Sequence, residues 1–117
     1  MMTYDFHYYV WYLPVTGHNA PLYPRHSEHG FFSTMNTNWS ATYWVQQGMP
    51  RHKIQIGIPT YAHTFMLTNP DNHGLGAPTI GFGSIGQQGF AYYSDVCEFL
   101  ERPNAHMQWD GESKVPF

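Results

Sequence analysis

The apolar run Lys53-Ile54-Gln55-Ile56-Gly57-Ile58, ending at Pro59, limits what this chain can fold into more than any other feature. A short run of β-branched residues stopped by proline reads as a buried strand. Ahead of it the pattern predicts a helix over residues 39 to 47, capped by Thr37 and Asn38, with Ala41, Trp44 and Val45 on one side and Gly48 as its stop. Residues 1 to 6 read as an earlier strand, rich in β-favouring side chains and with no turn former before it. Strand, helix and strand in that order make a parallel βαβ unit. Parallel strands are normally covered on both faces and paired on both edges, so two alone leave edges open, and the chain is expected to be an excerpt of a larger sheet.

Residues 7 to 37, rich in Pro, Gly, His, Asn and Ser, are expected to form a long loop of the functional type. After Tyr61 the character changes: Asn69-Pro70-Asp71-Asn72-His73-Gly74 is a cluster of turn formers, and seven of the 11 glycines fall between Gly57 and Gly89, which marks a separately organised lobe. A second helix is predicted over residues 91 to 101, burying Tyr92, Val96, Phe99 and Leu100. Two short strands are predicted at 107 to 110 and 114 to 117, around Gly111. No internal repeat occurs, which excludes a solenoid.

Composition narrows the function. Five Lys+Arg against eight Asp+Glu give no basic field, so nucleic acid is excluded as an expected partner. Charged residues are 11% of the chain, against about 25% in ordinary domains, while aromatic residues reach 18%. Tyr and Trp offer an apolar face with a polar tip, which suits a sugar. No run approaches the length of a membrane span, so no membrane partner is expected. Cys97 stands alone, so a disulfide inside the chain is impossible. His26 and His29 have ligand-like spacing, but no cysteine or carboxylate cluster accompanies them; neither a metal nor a cofactor is expected. Asn38-Trp39-Ser40 is a glycosylation sequon at the helix start, where Asn38 is expected to serve as a cap instead.

Four blocks then point to a family. Met2-Thr3-Tyr4-Asp5-Phe6-His7, Thr16-Gly17-His18-Asn19-Ala20-Pro21-Leu22-Tyr23, Gly57-Ile58-Pro59-Thr60-Tyr61, and Asn69-Pro70 through Gly76-Ala77-Pro78 together resemble glycoside hydrolase family 18, the chitinases and chitinase-like lectins. The resemblance runs from Met2 to Phe117 in the family's order. It implies an α/β fold: part of a TIM (β/α)8 barrel, with strands six and seven and the intervening helix in residues 1 to 62, and an α+β insertion lobe in residues 63 to 117. The implied ligands are chitin and N-acetylglucosamine oligosaccharides, the implied location is extracellular, and the remainder of the parent barrel is the implied protein partner. The resemblance also places the partner of Cys97 outside this segment, in an oxidising compartment.

In this family the substrate's own acetamido oxygen attacks the anomeric carbon. The resemblance implies that Tyr4 donates its phenol hydrogen to that oxygen, that Asp5 bonds the sugar and influences the neighbouring acid, and that Met2 touches the bound sugar. Tyr61 and His63 match positions lining the cleft, and a charge on His63 near neutral pH would tune the carboxylates. Asp95 falls near a glutamate that reaches the sugar from the insertion lobe, and Trp11 near a tryptophan that contacts it.

Some features depart from the family. The Asp-x-x-Asp-x-Asp-x-Glu string, whose Glu protonates the leaving oxygen, occurs nowhere in the sequence, so this stretch alone is expected to be inactive. His7 is followed by Tyr8-Tyr9-Val10 where the family has glycine, and Tyr61 by Ala62 where glycine is common. The leading reading is a piece of a secreted chitinase; the alternative is a chitin-binding lectin or growth-factor-like relative without hydrolase activity.

Overall fold

The structure, a computed structural model, describes residues Met1–Phe117. Its contacts gather into two compact units, the first holding Met1–Phe6, Ala20–Pro59 and Gln108–Phe117, the second His7–Asn19 and Thr60–Met107. The chain thus passes between units at several points, where the sequence suggests a single cut after residue 62.

In the first unit the 1 to 6 segment lies along residues 55 to 57. The Met1 amino group donates to the Gln55 carbonyl at 2.6 Å, the Gly57 N–H to the Met1 carbonyl at 2.8 Å, and the Thr3 hydroxyl to the Gly57 carbonyl at 2.8 Å. Neither segment is a regular strand, contrary to the sequence reading, and Arg51–Lys53 is a turn of 3-10 helix. Nor is the apolar run buried: Ile56 and Ile58 are exposed, Ile58 by 81%. A parallel pair gains its burial from layers on both faces, and these residues have no such layers within this chain.

The first helix, α1, spans Thr37–Gln46. Its cap is neither Thr37 nor Asn38 but Asn36, which is fully buried and extended; its Oδ1 accepts from the Trp39 N–H at 2.8 Å and its Nδ2 donates to the Ser33 carbonyl at 2.9 Å. The Thr37 and Asn38 amides instead donate to the Pro21 and Leu22 carbonyls, so helix donors left without intrahelical partners tie α1 to the preceding loop. Gly48 follows with φ of +94°, the left-handed stop that its sequence position suggests. Trp44, predicted on the buried side, is half exposed and lines a cleft of about 550 Å³ with Met1, Met2, Met49 and Ile54.

The same unit ends in a hairpin of β5 (Trp109–Asp110) and β6 (Val115–Pro116), inside the two predicted strands. The loop before α1 is fastened to its turn. The Leu22 N–H donates to the Ser113 carbonyl, Arg25 Nε lies 3.7 Å from Asp110 Oδ2, and Glu112 Oε2 accepts from both the His26 N–H (2.6 Å) and His26 Nδ1 (2.9 Å). The His26 backbone and ring hydrogen bonds hold the Glu112 carboxyl below the usual carboxylate range.

The second unit contains two antiparallel pairs: β1 (Tyr61–His63) with β4 (Phe90–Tyr92), and β2 (Phe65–Leu67) with β3 (Thr79–Phe82). Helix α2, Tyr93–Leu100, follows β4 directly, two residues shorter at its start than predicted. The Tyr93 N–H donates to the Thr60 carbonyl, fixing the helix start beside β1. Val96 and Phe99 are half buried, but Tyr92 and Leu100 are exposed, which corrects the predicted face. The expected long loop is pinned here: Thr16 N–H donates to the Ala77 carbonyl, its carbonyl accepts from Gly76, and its hydroxyl donates to the Gly74 carbonyl at 2.7 Å and accepts from the Ala77 N–H at 3.0 Å. No helix is long and apolar enough to cross a membrane.

Candidate functional site

Tyr4 and Asp5 stand in the first unit, just beyond the bonds that clamp Thr3, itself buried, to Gly57. The half-buried Tyr4 ring lies over Gly57, where an ideal β-carbon would stand 2.9 Å from Tyr4 Cε1 and 3.0 Å from the Met1 carbonyl. Only glycine leaves room for the ring and the neighbouring backbone together. Asp5 is exposed and has φ of +59°, a left-handed conformation that aspartate tolerates better than most side chains. A phenol held by close packing is thus followed by a carboxylate on a strained bend, the kind of local strain that clusters at functional positions. Met2 is 78% exposed.

Tyr61 and His63 stand in the second unit, on β1. Pairing sets Tyr61 opposite Tyr92 and His63 opposite Phe90, while Ala62 faces Ala91, which is fully buried. Opposed residues in an antiparallel pair share one face, so alternation sends four rings to one side and two methyl groups to the other. Tyr61 stacks on Phe90 at 4.3 Å between centroids, and Phe90 meets Tyr92 edge-on at 5.3 Å. His63 lies 5.6 Å from Tyr61 and 5.4 Å from Tyr8. The Asn19 amide donates to the Tyr61 carbonyl at 3.1 Å, so the Thr16–Asn19 block also buttresses β1.

Residues 7 to 9 divide their rings between the two sheets. His7 faces Phe65 of β2 at 6.1 Å and Tyr9 faces Phe82 of β3 at 5.2 Å, while Tyr8 joins His63 on the β1 side. The His7 ring nitrogen Nε2 lies 2.9 Å from the Val15 carbonyl, which can only accept, so His7 donates there. Tyr8 and Phe90 are members of this aromatic face that sequence reasoning missed. The signal was available: ring-Ala-ring occurs twice, at 61 to 63 and at 90 to 92.

Two predicted residues stand elsewhere. Asp95 Oδ2 accepts from the Tyr92 N–H at 2.8 Å, so its carboxylate serves the start of α2. Trp11 is 81% exposed and meets Tyr12 edge-on. His26 is engaged by Glu112, and no group of three or more His, Cys, Asp or Glu is gathered as a metal ion would need.

Comparison with known proteins bears on the family and the fold. Residues 1–117 match the model of the family described as glycosyl hydrolases family 18. Chitotriosidase-1 of Mus musculus is 36% identical over 121 residues, covering 100% of this chain and 25% of the relative. Chitinase-3-like protein 2 of Homo sapiens is 38% identical over 106 residues, covering 86% and 27%. Among solved structures, human YKL-39, described as a pseudo-chitinase with retained chitooligosaccharide binding, superposes with a TM-score of 0.89 at 35% identity, covering 99% of this chain and 32% of that one. An immunomodulatory active chitinase from Trichuris suis gives 0.89 at 36%, covering 97% and 31%. The chain therefore spans about a quarter of these curated relatives and about a third of these solved chains. With the matched fold, the four sequence blocks and the family model in agreement over its whole length, this chain belongs to glycoside hydrolase family 18.

Proposed function

We propose that this chain is the part of a secreted chitinase that positions the acetamido group of a β-1,4-linked N-acetylglucosamine chain, within a protein whose proton-donating glutamate lies outside these residues. Residues 1 to 62 are read as barrel strands six and seven with their helix, and residues 63 to 117 as the insertion lobe. The observation that carries the reading is Tyr4 seated on Gly57 with Asp5 on the exposed bend that follows.

In this reading the Tyr4 hydroxyl donates to the acetamido oxygen, which attacks the anomeric carbon as the glycosidic bond breaks. Asp5 bonds the sugar and influences the neighbouring acid as charge develops in the groove. The proton needed by the departing oxygen comes from the glutamate elsewhere in the parent protein. Tyr61 and His63 offer the aromatic and polar surface that a sugar takes, Met2 adds an exposed apolar contact, and Asp95 and Trp11 are outlying contributors. The exposed Ile56 and Ile58 are the surface that the remaining barrel covers. Cys97, which is exposed, pairs with a cysteine outside this chain.

The test is turnover and binding measured on the same protein. The 117-residue chain is expected to give no turnover of a fluorogenic chitobiose substrate; turnover at ordinary enzyme concentration would show that the acid lies within it. The parent protein is expected to hydrolyse chitin and to lose that activity in Asp5→Asn.

A second reading, binding without hydrolysis, is favoured by one comparison: human YKL-39 retains chitooligosaccharide binding as a pseudo-chitinase. The identity of the parent residue at the proton-donor position separates the two. A non-acidic residue there would establish the binding protein.

A further inference from the structure

Asn36 and Asn38 stand two residues apart at the start of α1, and the structure gives them opposite roles. Asn36 is fully buried and both ends of its amide are used, one on the Trp39 N–H and one on the Ser33 carbonyl. Asn38 is exposed; its backbone N–H donates to the Leu22 carbonyl, and its side-chain amide has no hydrogen-bond partner within the chain. The capping duty that the sequence assigns to Asn38 is therefore already filled. What remains is an unoccupied carboxamide in the only Asn-x-Ser/Thr triplet of the sequence, Asn38-Trp39-Ser40.

We infer that Asn38 is an N-glycosylation site. The sequon supplies the residue types that the transfer requires, Asn at the first position, a non-proline at the second and a hydroxyl at the third. The folded surface supplies the space: side chains on a helix lean toward its N-terminus, so a glycan on Asn38 projects away from the later turns of α1. In the transfer, Asn38 Nδ2 forms a bond to the anomeric carbon of an oligosaccharide carried on a lipid pyrophosphate. The carbon–oxygen bond to that pyrophosphate breaks and the lipid pyrophosphate leaves with the electron pair. Nδ2 gives up one proton to a base of the transferase. No oxidation or reduction occurs.

This inference rests on the parent protein being secreted, and the experiment separates the two by supplying a signal peptide. The full chain, fused behind that peptide, is expressed in eukaryotic cells, and the secreted product is digested and mapped by mass spectrometry before and after glycan removal by an amidase. The expected result is a glycan on Asn38 in the natural chain and in Ser40→Thr, and none in Asn38→Gln or Ser40→Ala, with comparable secreted yields. Secretion of the natural chain with Asn38 unmodified would overturn the inference. So would glycosylated chain held inside the cell while Asn38→Gln is released, because that outcome places the glycan against the fold rather than on its surface.

Discussion

The phenol ring of Tyr4 occupies the space where a side chain at position 57 would begin, 2.9 Å from an ideal β-carbon on Gly57. The glycine and the tyrosine are thus one device, because any larger residue at 57 must move the ring or the Met1 carbonyl beside it. Gly57→Ala is expected to cost about 1 to 3 kcal/mol of stability through overpacking, read from urea denaturation. In the parent protein it should also lower kcat more than it raises KM, since the displaced group positions the reacting oxygen. Unchanged kinetics with lowered stability would leave Tyr4 as packing only.

Asp5 allows a cleaner experiment. Its left-handed backbone is one that asparagine also tolerates, so Asp5→Asn removes the charge without adding strain. The expected loss is about 100-fold in kcat or more, with oligosaccharide affinity little changed by calorimetry.

Tyr8 follows His7, where the resemblance implies glycine, and brings its ring to 5.4 Å from His63. Tyr8→Gly is expected to weaken N-acetylglucosamine oligomer binding by about three- to tenfold, the effect of losing one aromatic contact. Equal affinity in titration calorimetry would assign Tyr8 to local packing.

Asn36 caps α1 from a fully buried position. Asn36→Ala is expected to cost about 1 to 2 kcal/mol, seen as a lower urea midpoint, whereas Asn38→Ala should change it by a few tenths. The comparison reads the two asparagines directly, and equal costs would contradict the assignment of the cap.

Glu112 supplies a pH signature. Its carboxyl titrates below its ordinary value of 4.5, chiefly because the His26 N–H and then the His26 ring bond its ionised form. A group whose folded pKa is depressed stabilises the fold fully above its unfolded pKa, and the contribution disappears as pH falls through the folded value. Thermal melts taken from neutral pH down to about pH 3 should converge for the natural chain and Glu112→Gln at the acid end. The difference at neutral pH should be small, because the group is exposed and salt screens it.

The sequence made the element types legible where a local signal acts alone. The hairpin strands around Gly111 lie inside their predicted stretches, Gly48 stops α1 where predicted, and α1 overlaps its predicted stretch while starting two residues before it, since periodicity, turn formers and alternation are properties of neighbouring residues. It misplaced features that depend on distant partners. The cap moved to Asn36 because the Thr37 and Asn38 amides are taken by carbonyls fifteen or more residues away in the loop. The run 53 to 58 is neither buried nor a regular strand, because strand burial is conferred by covering layers that a local pattern cannot supply. Of the candidate site, Tyr4 and Asp5 were legible as a motif, whereas the aromatic face on β1 and β4 required the register that sets His63 opposite Phe90.

Thr16 gives the molecule a constraint of another kind. Because its backbone and its hydroxyl both engage residues 74 to 77, the Thr-Gly-His-Asn block and the Gly-Ala-Pro block are mechanically a single part, although about sixty residues separate them along the chain. A chimera that transplants either block from a relative must carry its counterpart along, or the graft arrives with half of its lock missing.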